Sequence, residues 1–356
     1  DFGTQMLEGI QLAFEEINAV GGYMGRSYEL VVRDDQATPD LGLQAAKDMV
    51  STGVVATLGY CNTGVAAKSL EVFQNAKLPL IIPCATGTPL TAQYPAASSY
   101  IFRTSPRDAI QAPYVVNDLV RRGWTHVAIF ADTTGYGDAG LKDVEAALAS
   151  HSLKPVHVAR FPLGVKDLQS ELRAARDAGA DVVFSYTVGV ENATIANGRK
   201  ALKWNVPQVG AWPLSFPFFI NGAKDAAEGA MMAQTFIAEP SNERRASFLT
   251  AYKRKFHKPM AVPMAAAQGY DAAYLLAFAL FGIRDGNLAG LTVKTALENI
   301  SRTYYGVVAT YERPFSLNDK DALTENMLVM GKVANGAVTF ARAEDAKRNL
   351  LVKRKN

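Results

Sequence analysis

Two short clusters in the chain carry the residue types that can hold a small anion. Gly59-Tyr60-Cys61-Asn62-Thr63-Gly64 follows the apolar run Val54-Val-Ala-Thr-Leu-Gly59. Pro83-Cys84-Ala85-Thr86-Gly87-Thr88-Pro89 follows Leu78-Pro-Leu-Ile-Ile-Pro83. Each cluster places hydroxyls and backbone N–H groups just past a predicted strand, the first at the start of a predicted helix over 64–76. N–H donors, hydroxyl donors and a helix dipole are what a carboxylate needs. Thr and Asn are also ordinary helix caps, and either cluster alone reads as one. Two of them on neighbouring strand ends, with Thr63 and Thr86 as the hydroxyls, also read as a binding site, because open α/β sheets take ligands at the carboxyl ends of their strands.

The machinery of catalysis is missing from the sequence. There is no Gly-x-x-x-x-Gly-Lys-Ser/Thr loop, no Gly-x-Gly-x-x-Gly after a strand, no Gly-x-Ser-x-Gly elbow and no His-Glu-x-x-His. The histidines His126, His151, His157 and His257 fall in separate segments, without a Cys or carboxylate at metal-ligand spacing. No metal, no cofactor and no enzymatic activity are therefore expected. Cys61 and Cys84 are too few for a disulfide scaffold or a zinc cluster. If the runs preceding them are adjacent parallel strands, their sulfurs share a sheet edge. A bridge and two free buried thiols both remain open.

Positioning these clusters requires alternating elements. Apolar residues at Met6, Leu7, Ile10, Ala13, Phe14 and Ile17 have helical spacing over 5–20. Strands are predicted at 28–33, 54–59, 78–83, 125–131, 155–161, 181–186 and 206–211. Helices are predicted at 40–52, 64–76, 108–122, 138–150, 166–178 and 191–203. Such alternation implies parallel sheets covered by helices. Little strand signal lies between Pro83 and Thr125, and Arg103-Thr-Ser-Pro106 reads as a crossover. A mostly helical stretch follows at 242–256, 263–282 and 292–300. Strands return at 307–312, 326–333 and 337–340, the last two joined by Asn335-Gly336, a hairpin signal.

Composition limits the partners. The chain has 356 residues, 49% of them apolar and 20% charged, enough for two domains of ~150 residues. Lys+Arg exceed Asp+Glu by 37 to 34, a net charge of +3. That excess is too small and too scattered for a nucleic-acid-binding protein. The one dense basic run, Lys347-Arg348 to Lys353-Arg354-Lys355, reads as a solvated helix end or tail. The longest apolar stretch, Ala272 to Ile283, falls short of the ~20 residues of a membrane helix. The chain opens with no charged n-region or cleavage site, so any signal peptide is expected to have been removed.

With these residues in place, the chain resembles the type I periplasmic solute-binding proteins of the branched-chain amino-acid (leucine/isoleucine/valine-binding) ABC transporter family. The segments that carry the resemblance are Glu8-Gly-Ile-Gln-Leu-Ala-Phe-Glu-Glu-Ile-Asn-Ala-Val-Gly-Gly22, Gly25-Arg26, Asp34-Asp35, Gly59 to Thr63, Pro83 to Thr86, Phe102-Arg-Thr104, Asp132 with Tyr136-Gly137, and Gln268-Gly-Tyr-Asp271. They run in family order across nearly the whole chain. The family opens with a β-strand and a Ser-Gly-Pro turn, whereas this chain opens at Asp1-Phe2-Gly3, just after them. A sheet missing that central strand would be poorly stable, so the strand is expected to belong to the protein and to lie outside this sequence.

The resemblance implies an α/β fold of two doubly wound parallel-sheet lobes joined by three crossovers, near residues 104, 234 and 313. Residues 1–104 and 234–312 would form the N-lobe, and 105–233 and 313–356 the C-lobe. It implies that Thr63 and Thr86 hold a ligand carboxylate, that the tips 62–63 and 84–86 also bring Asn62 and Ala85 to the ligand, and that the Cys84 carbonyl faces the ligand amino group. Phe2 and Tyr136 would be aromatic walls. Trp212 falls where amino-acid-binding members carry an acid for the ammonium, Val188 where a tyrosine is common, and Ala265 where a bulkier apolar residue closes the pocket. A buried ammonium without an anion costs several kcal/mol, and a Trp offers a flat apolar surface instead. The expected ligand is therefore a small carboxylate, an aromatic acid of the benzoate or hydroxycinnamate type. Hydrophobic amino acids are the alternative, with Glu191 and Asp132 as nearby acids for the ammonium. The expected setting is periplasmic, as a monomer that captures ligand by lobe closure and delivers it to an ABC transporter permease in the membrane. A ligand-sensing regulator of the same fold would carry a DNA-binding module, and this sequence contains none.

Overall fold

The computed structural model describes every residue except Asp1, Pro240, Val352 and Asn356. The chain divides into two compact units. One comprises Asp1–Arg107, Ala238–Met327 and Leu350–Asn356, the other Asp108–Ile237 and Leu328–Asn349.

The first unit begins with α1 (Phe2–Ala19), α2 (Pro39–Thr52), β1 (Thr57–Leu58), α3 (Thr63–Ala76), β2 (Leu80–Ile82), a single turn α4 (Pro89–Ala92) and β3 (Ile101–Arg103). The second unit follows with α5 (Asp108–Arg121), β4 (Val127–Asp132), α6 (Gly135–Ala149), β5 (His157–Phe161), α7 (Gln169–Asp177), β6 (Val182–Tyr186), α8 (Glu191–Ala201), β7 (Gln208–Gly210), α9 (Pro217–Ala223) and β8 (Met231–Gln234). The chain returns to the first unit for α10 (Glu243–Phe256), α11 (Pro263–Phe281), α12 (Gly290–Glu298), β9 (Tyr304–Tyr305) and β10 (Thr310–Tyr311). It ends the second with β11 (Val329–Ala334), β12 (Ala337–Phe340) and α13 (Ala343–Leu350).

In the first unit β1, β2 and β3 form a parallel sheet in that order. The expected strand at 28–33 is extended but belongs to no sheet. Asn18 does part of a ladder's work there, its side chain bonding both the N–H and the carbonyl of Tyr28 at 2.7 and 3.0 Å. A groove of about 1120 Å³ is lined by 26–37 and 52–62 together with the apolar side chains of Ile10, Phe14, Leu276 and Leu280. The extended segment and β1 both border this groove, so neither meets a strand partner across it.

Behind this sheet, α1 packs on α11 at very short range. A Cβ on Gly9 would lie 2.0 Å from the Ala266 carbonyl oxygen, and one on Gly269 would lie 2.5 Å from that of Met6. Both glycines occur in the family segments, and backbone proximity is their physical reason. Asp271 on α11 is fully buried and accepts four hydrogen bonds: Val307 N–H (2.8 Å), Val308 N–H (2.9 Å), Tyr304 Oη (3.0 Å) and Tyr311 Oη (2.9 Å). All four donors belong to the first unit. Burial pushes the Asp271 carboxyl up to about 6, against the pull of these donors.

Asp271→Asn keeps one accepting oxygen and turns two of the four donors toward an NH₂ group. It is expected to cost about 2–4 kcal/mol in urea unfolding. A raised carboxyl binds more protons folded than unfolded, so Asp271 contributes a loss of stability as pH rises from about 4 to about 6. That component should vanish from the pH profile of the variant; an unchanged midpoint and profile would refute this reading of Asp271.

The second unit contains one seven-stranded sheet ordered β12-β11-β8-β7-β6-β4-β5. The strands from β5 to β8 are parallel, while β11 and β12 add an antiparallel edge. The expected Asn335-Gly336 hairpin is present, with φ of 52° and 76° at its two central residues. Ala128, Phe130, Phe161, Leu172, Val183 and Ile195 centre one core layer, and Leu214, Phe219 and Met232 centre another.

Two expectations about the later part of the chain are corrected, the first wholly and the second in part. Segment 313–327 stays with the first unit because buried Arg103 pairs with Asp321 at 2.8 Å and Lys320 pairs with Glu298 at 2.6 Å. Of the basic run, Lys347 and Arg348 form the last turn of α13 with Lys347 exposed, the helix end expected, but residues 353–355 are no solvated tail. Lys353 is buried and its carbonyl accepts from Thr310 N–H at 2.9 Å, while Lys355 pairs with Asp319 at 2.7 Å.

Candidate functional site

The first unit brings the two sequence clusters together because β1 and β2 are neighbours in register, Leu58 opposite Ile81. Asn62 is the N-cap of α3 and makes no side-chain cap bond. Thr63 opens the helix, where backbone N–H groups have no intrahelical acceptor. Its Oγ1 accepts from Gly87 N–H at 3.0 Å, which ties the two tips to each other and leaves the hydroxyl proton to donate. Gly87 must be glycine, since a Cβ there would lie 2.2 Å from the Thr63 methyl.

The second tip is locked from several sides. Gln268 donates to Pro83 O at 2.7 Å, Ser105 to Ala85 O at 2.6 Å, and Arg103 to Gly87 O at 2.6 Å. Ala85 N–H reaches the Tyr60 carbonyl at 2.9 Å. Amid these bonds the Thr86 hydroxyl, with the residue 1% exposed, has no partner. Cys84 and Cys61 are both free thiols. Burial, first, and the neighbouring Cys61 sulfur, second, push the Cys84 thiol up. Shared strand ends were the sequence expectation for this pair; the structure leaves it unbridged.

Phe2 and Ala265, also expected in the site, lie in the first unit. Phe2 opens α1 and lines the groove described above, along with Cys61 and Asn62. Ala265 is fully buried on α11.

In the second unit, Tyr136, Val188 and Trp212 follow the carboxyl ends of β4, β6 and β7. Tyr136 is buried with its Oη unpartnered, and its ring lies 5.0 Å from that of Tyr186. Val188 is half-buried in the bend after β6. Trp212 is 2% exposed and packs edge-on to Phe216 at 4.9 Å, and its backbone N–H donates to Gln111 Oε1 at 3.1 Å.

Acidic residues lie near Tyr136 and Tyr186. Tyr186 Oη donates to Asp108 at 2.8 Å. Asp132 ends β4, and its Oδ1 accepts from Thr134 N–H and Oγ1 at 2.9 and 2.5 Å. Glu191 begins α8, and its Oε1 accepts from Gly164 N–H at 2.7 Å. Burial, chiefly, and then Glu191 raise the Asp132 carboxyl, while Thr134 and Thr187 oppose the rise. Sequence reasoning named both acids but missed the groups that build the tips, Arg103, Ser105 and Gln268. Two of these stand inside family segments, yet nothing in their spacing showed that they bond a loop carbonyl.

Among the described residues no helix is long and apolar enough to cross a membrane. The sequence profile of the periplasmic binding protein family matches residues 1–337. A Leu/Ile/Val-binding protein homolog 3 of Brucella melitensis is 34% identical over 186 residues, covering 51% of this chain and 49% of that protein. The chain thus matches about half the length of that relative. A periplasmic binding protein type 1 of Bordetella pertussis has the same fold, with a TM-score of 0.85, 22% identity and 95% of each chain covered. So does an ABC-transporter solute-binding protein of Rhodopseudomonas palustris, solved with 3,4-dihydroxybenzoic acid, with a TM-score of 0.78, 21% identity and 97% and 95% covered. A profile match over nearly the whole chain, on a frame of two α/β units, makes this chain a member of the periplasmic binding protein family, with the type I fold.

Proposed function

We propose that the chain is the solute-binding receptor of an ABC importer and captures a small aromatic carboxylate by closure of its two units on the ligand. The observation that carries this reading is the Thr86 hydroxyl. It is buried and unpaired in a loop where the carbonyls of Pro83, Ala85 and Gly87 are all held, beside the open N-terminus of α3. A carboxylate satisfies both hydroxyl and N–H donors. Trp212 supports the aromatic part, because it supplies an apolar face at a strand end where amino-acid receptors of the family place an acid. Tyr136, Val188 and Phe2 would complete the wall, the Cys84 carbonyl and Ala85 would flank the ligand, and Ala265 would leave room for it. The receptor would act as a periplasmic monomer that hands its ligand to a membrane permease.

A second reading, a receptor for hydrophobic amino acids, is favoured by the named relatives and by the two acids Asp132 and Glu191. Calorimetry with benzoate, 4-hydroxybenzoate and coumarate against leucine and phenylalanine separates the two. Tighter binding of an aromatic acid than of leucine is the expected result, and leucine binding alone would overturn it. Trp212→Glu is expected to weaken aromatic acids about three- to tenfold and to shift preference toward amines. Mass spectrometry of small molecules released from the denatured protein identifies the ligand directly.

A further inference from the structure

The second unit carries a set of buried polar atoms whose hydrogen-bonding capacity its own fold leaves largely unused. β4 and β6 are parallel neighbours with Ala131 opposite Tyr186, so Asp132 and Thr187 stand side by side just past that pair. At these two strand ends Asp132 Oδ2, Glu191 Oε2, Asn192 Oδ1 and Tyr136 Oη are all buried without a hydrogen-bond partner, as is the Thr187 hydroxyl, which lies near enough to Asp132 to favour its charged form. Asp132, Glu191, Asn192 and Tyr136 are 0%, 4%, 1% and 5% exposed.

Their other atoms are fully occupied, which fixes the orientation of the unpaired ones. Asp132 Oδ1 is held by Thr134, Glu191 Oε1 by Gly164 N–H, and Asn192 Nδ2 by the Thr187 carbonyl at 2.8 Å. Arg160, the nearby cation, bonds the Asp132 backbone carbonyl at 2.7 Å rather than its carboxylate. The Asp132, Glu191 and Asn192 oxygens can only accept, two of them belong to acids, and the single Thr187 hydroxyl cannot serve all three. Unmet buried acceptors of this kind cost about 1–3 kcal/mol each, more when charged. A group that brings donors recovers that cost.

We infer that Asp132, Glu191 and Asn192, with Tyr136, form a subsite that reads a hydrogen-bond donor on the ligand, at a position other than its carboxylate. This rests on the carboxylate reading above and narrows it. The preferred ligand couples a carboxylate to a donor-bearing group, and the donor is a phenolic hydroxyl or an ammonium. An unsubstituted benzoate leaves the subsite unmet.

The test is calorimetry on the full chain with benzoate, 4-hydroxybenzoate, 4-(aminomethyl)benzoate, leucine and 4-hydroxybenzyl alcohol, repeated with Asp132→Asn and Glu191→Gln. Both amides can keep the bonds now made to Thr134 and Gly164, and thermal melts check that they fold. At least one donor-bearing carboxylate is expected to bind tenfold or more tightly than benzoate, and the variants are expected to shrink that gap while changing benzoate less than threefold. A loss in Glu191→Gln much larger for the amines than for the phenol identifies the donor as an ammonium. Comparable losses identify a hydroxyl. Equal affinity for benzoate and every donor-bearing acid overturns the subsite and leaves the carboxylate reading standing. Should neither variant fold, that comparison on the unmodified chain still decides. Binding of 4-hydroxybenzyl alcohol without any acid overturns the carboxylate reading and supports the subsite; no binding of any probe overturns both.

Discussion

Thr86→Val is expected to lower the affinity for any small carboxylate roughly thirty- to hundredfold and to leave the melting temperature unchanged or slightly raised. The two halves of this result have one cause. In the fold the Thr86 hydroxyl is buried and makes no hydrogen bond. Replacing an unsatisfied buried polar group by a methyl of similar shape is neutral or stabilising. Towards a bound carboxylate the same hydroxyl donates a charge-assisted bond, worth about 1.5–3 kcal/mol. Thr63→Val is the control, because Thr63 Oγ1 already accepts from Gly87 N–H. Its loss should reduce both stability and affinity, since the buried Gly87 donor loses its partner. Calorimetry paired with thermal melts reads both quantities. Unchanged affinity in Thr86→Val, or equal destabilisation in both variants, would remove Thr86 from the site.

The contrast between these two threonines also marks what a sequence can disclose. Both stood out as hydroxyls beyond an apolar run, and the neighbouring strands were legible from the alternation of elements. Which hydroxyl was already spent on the fold depended on Gly87, whose close approach to Thr63 only the folded loops reveal. Long periodic elements such as α3, β4, β6 and α11 lie close to where spacing put them. Short ones did not announce themselves. β3 has three residues and ends in a charge, Arg103, whose neutralising partner Asp321 is remote in sequence. β8 is Met231–Gln234, without the branched residues that mark strands. Segment 28–33 shows the reverse failure: its composition is right, but a strand also needs a partner, and the groove beside it holds none of the described chain. In the second unit the acids were visible as residue types. Their unpaired oxygens were not, because satisfaction of a polar atom is a property of the packed state.

Arg103→Met should produce the largest loss of stability of the substitutions considered, on the order of 3–5 kcal/mol, together with a loss of ligand affinity. Arg103 is fully buried, and its guanidinium serves three acceptors: Asp321 Oδ1 at 2.8 Å, Gly87 O at 2.6 Å and Thr91 Oγ1 at 2.6 Å. Asp321 is pushed up by burial but drawn below its ordinary range overall by Arg103. Breaking one partner of a buried pair strands the other charge, which is the source of the large cost. The double variant Arg103→Met/Asp321→Leu removes both charges and is expected to recover most of the stability. It should not recover affinity, because Gly87 O then has no guanidinium and the loop carrying Thr86 loses its clamp. Arg103 is thus a positioning residue for the anion site as well as a structural one. Urea unfolding and calorimetry on the single and double variants separate the two roles: affinity returning in step with stability would reduce Arg103 to a buried ion pair, and stability returning alone would establish the clamp.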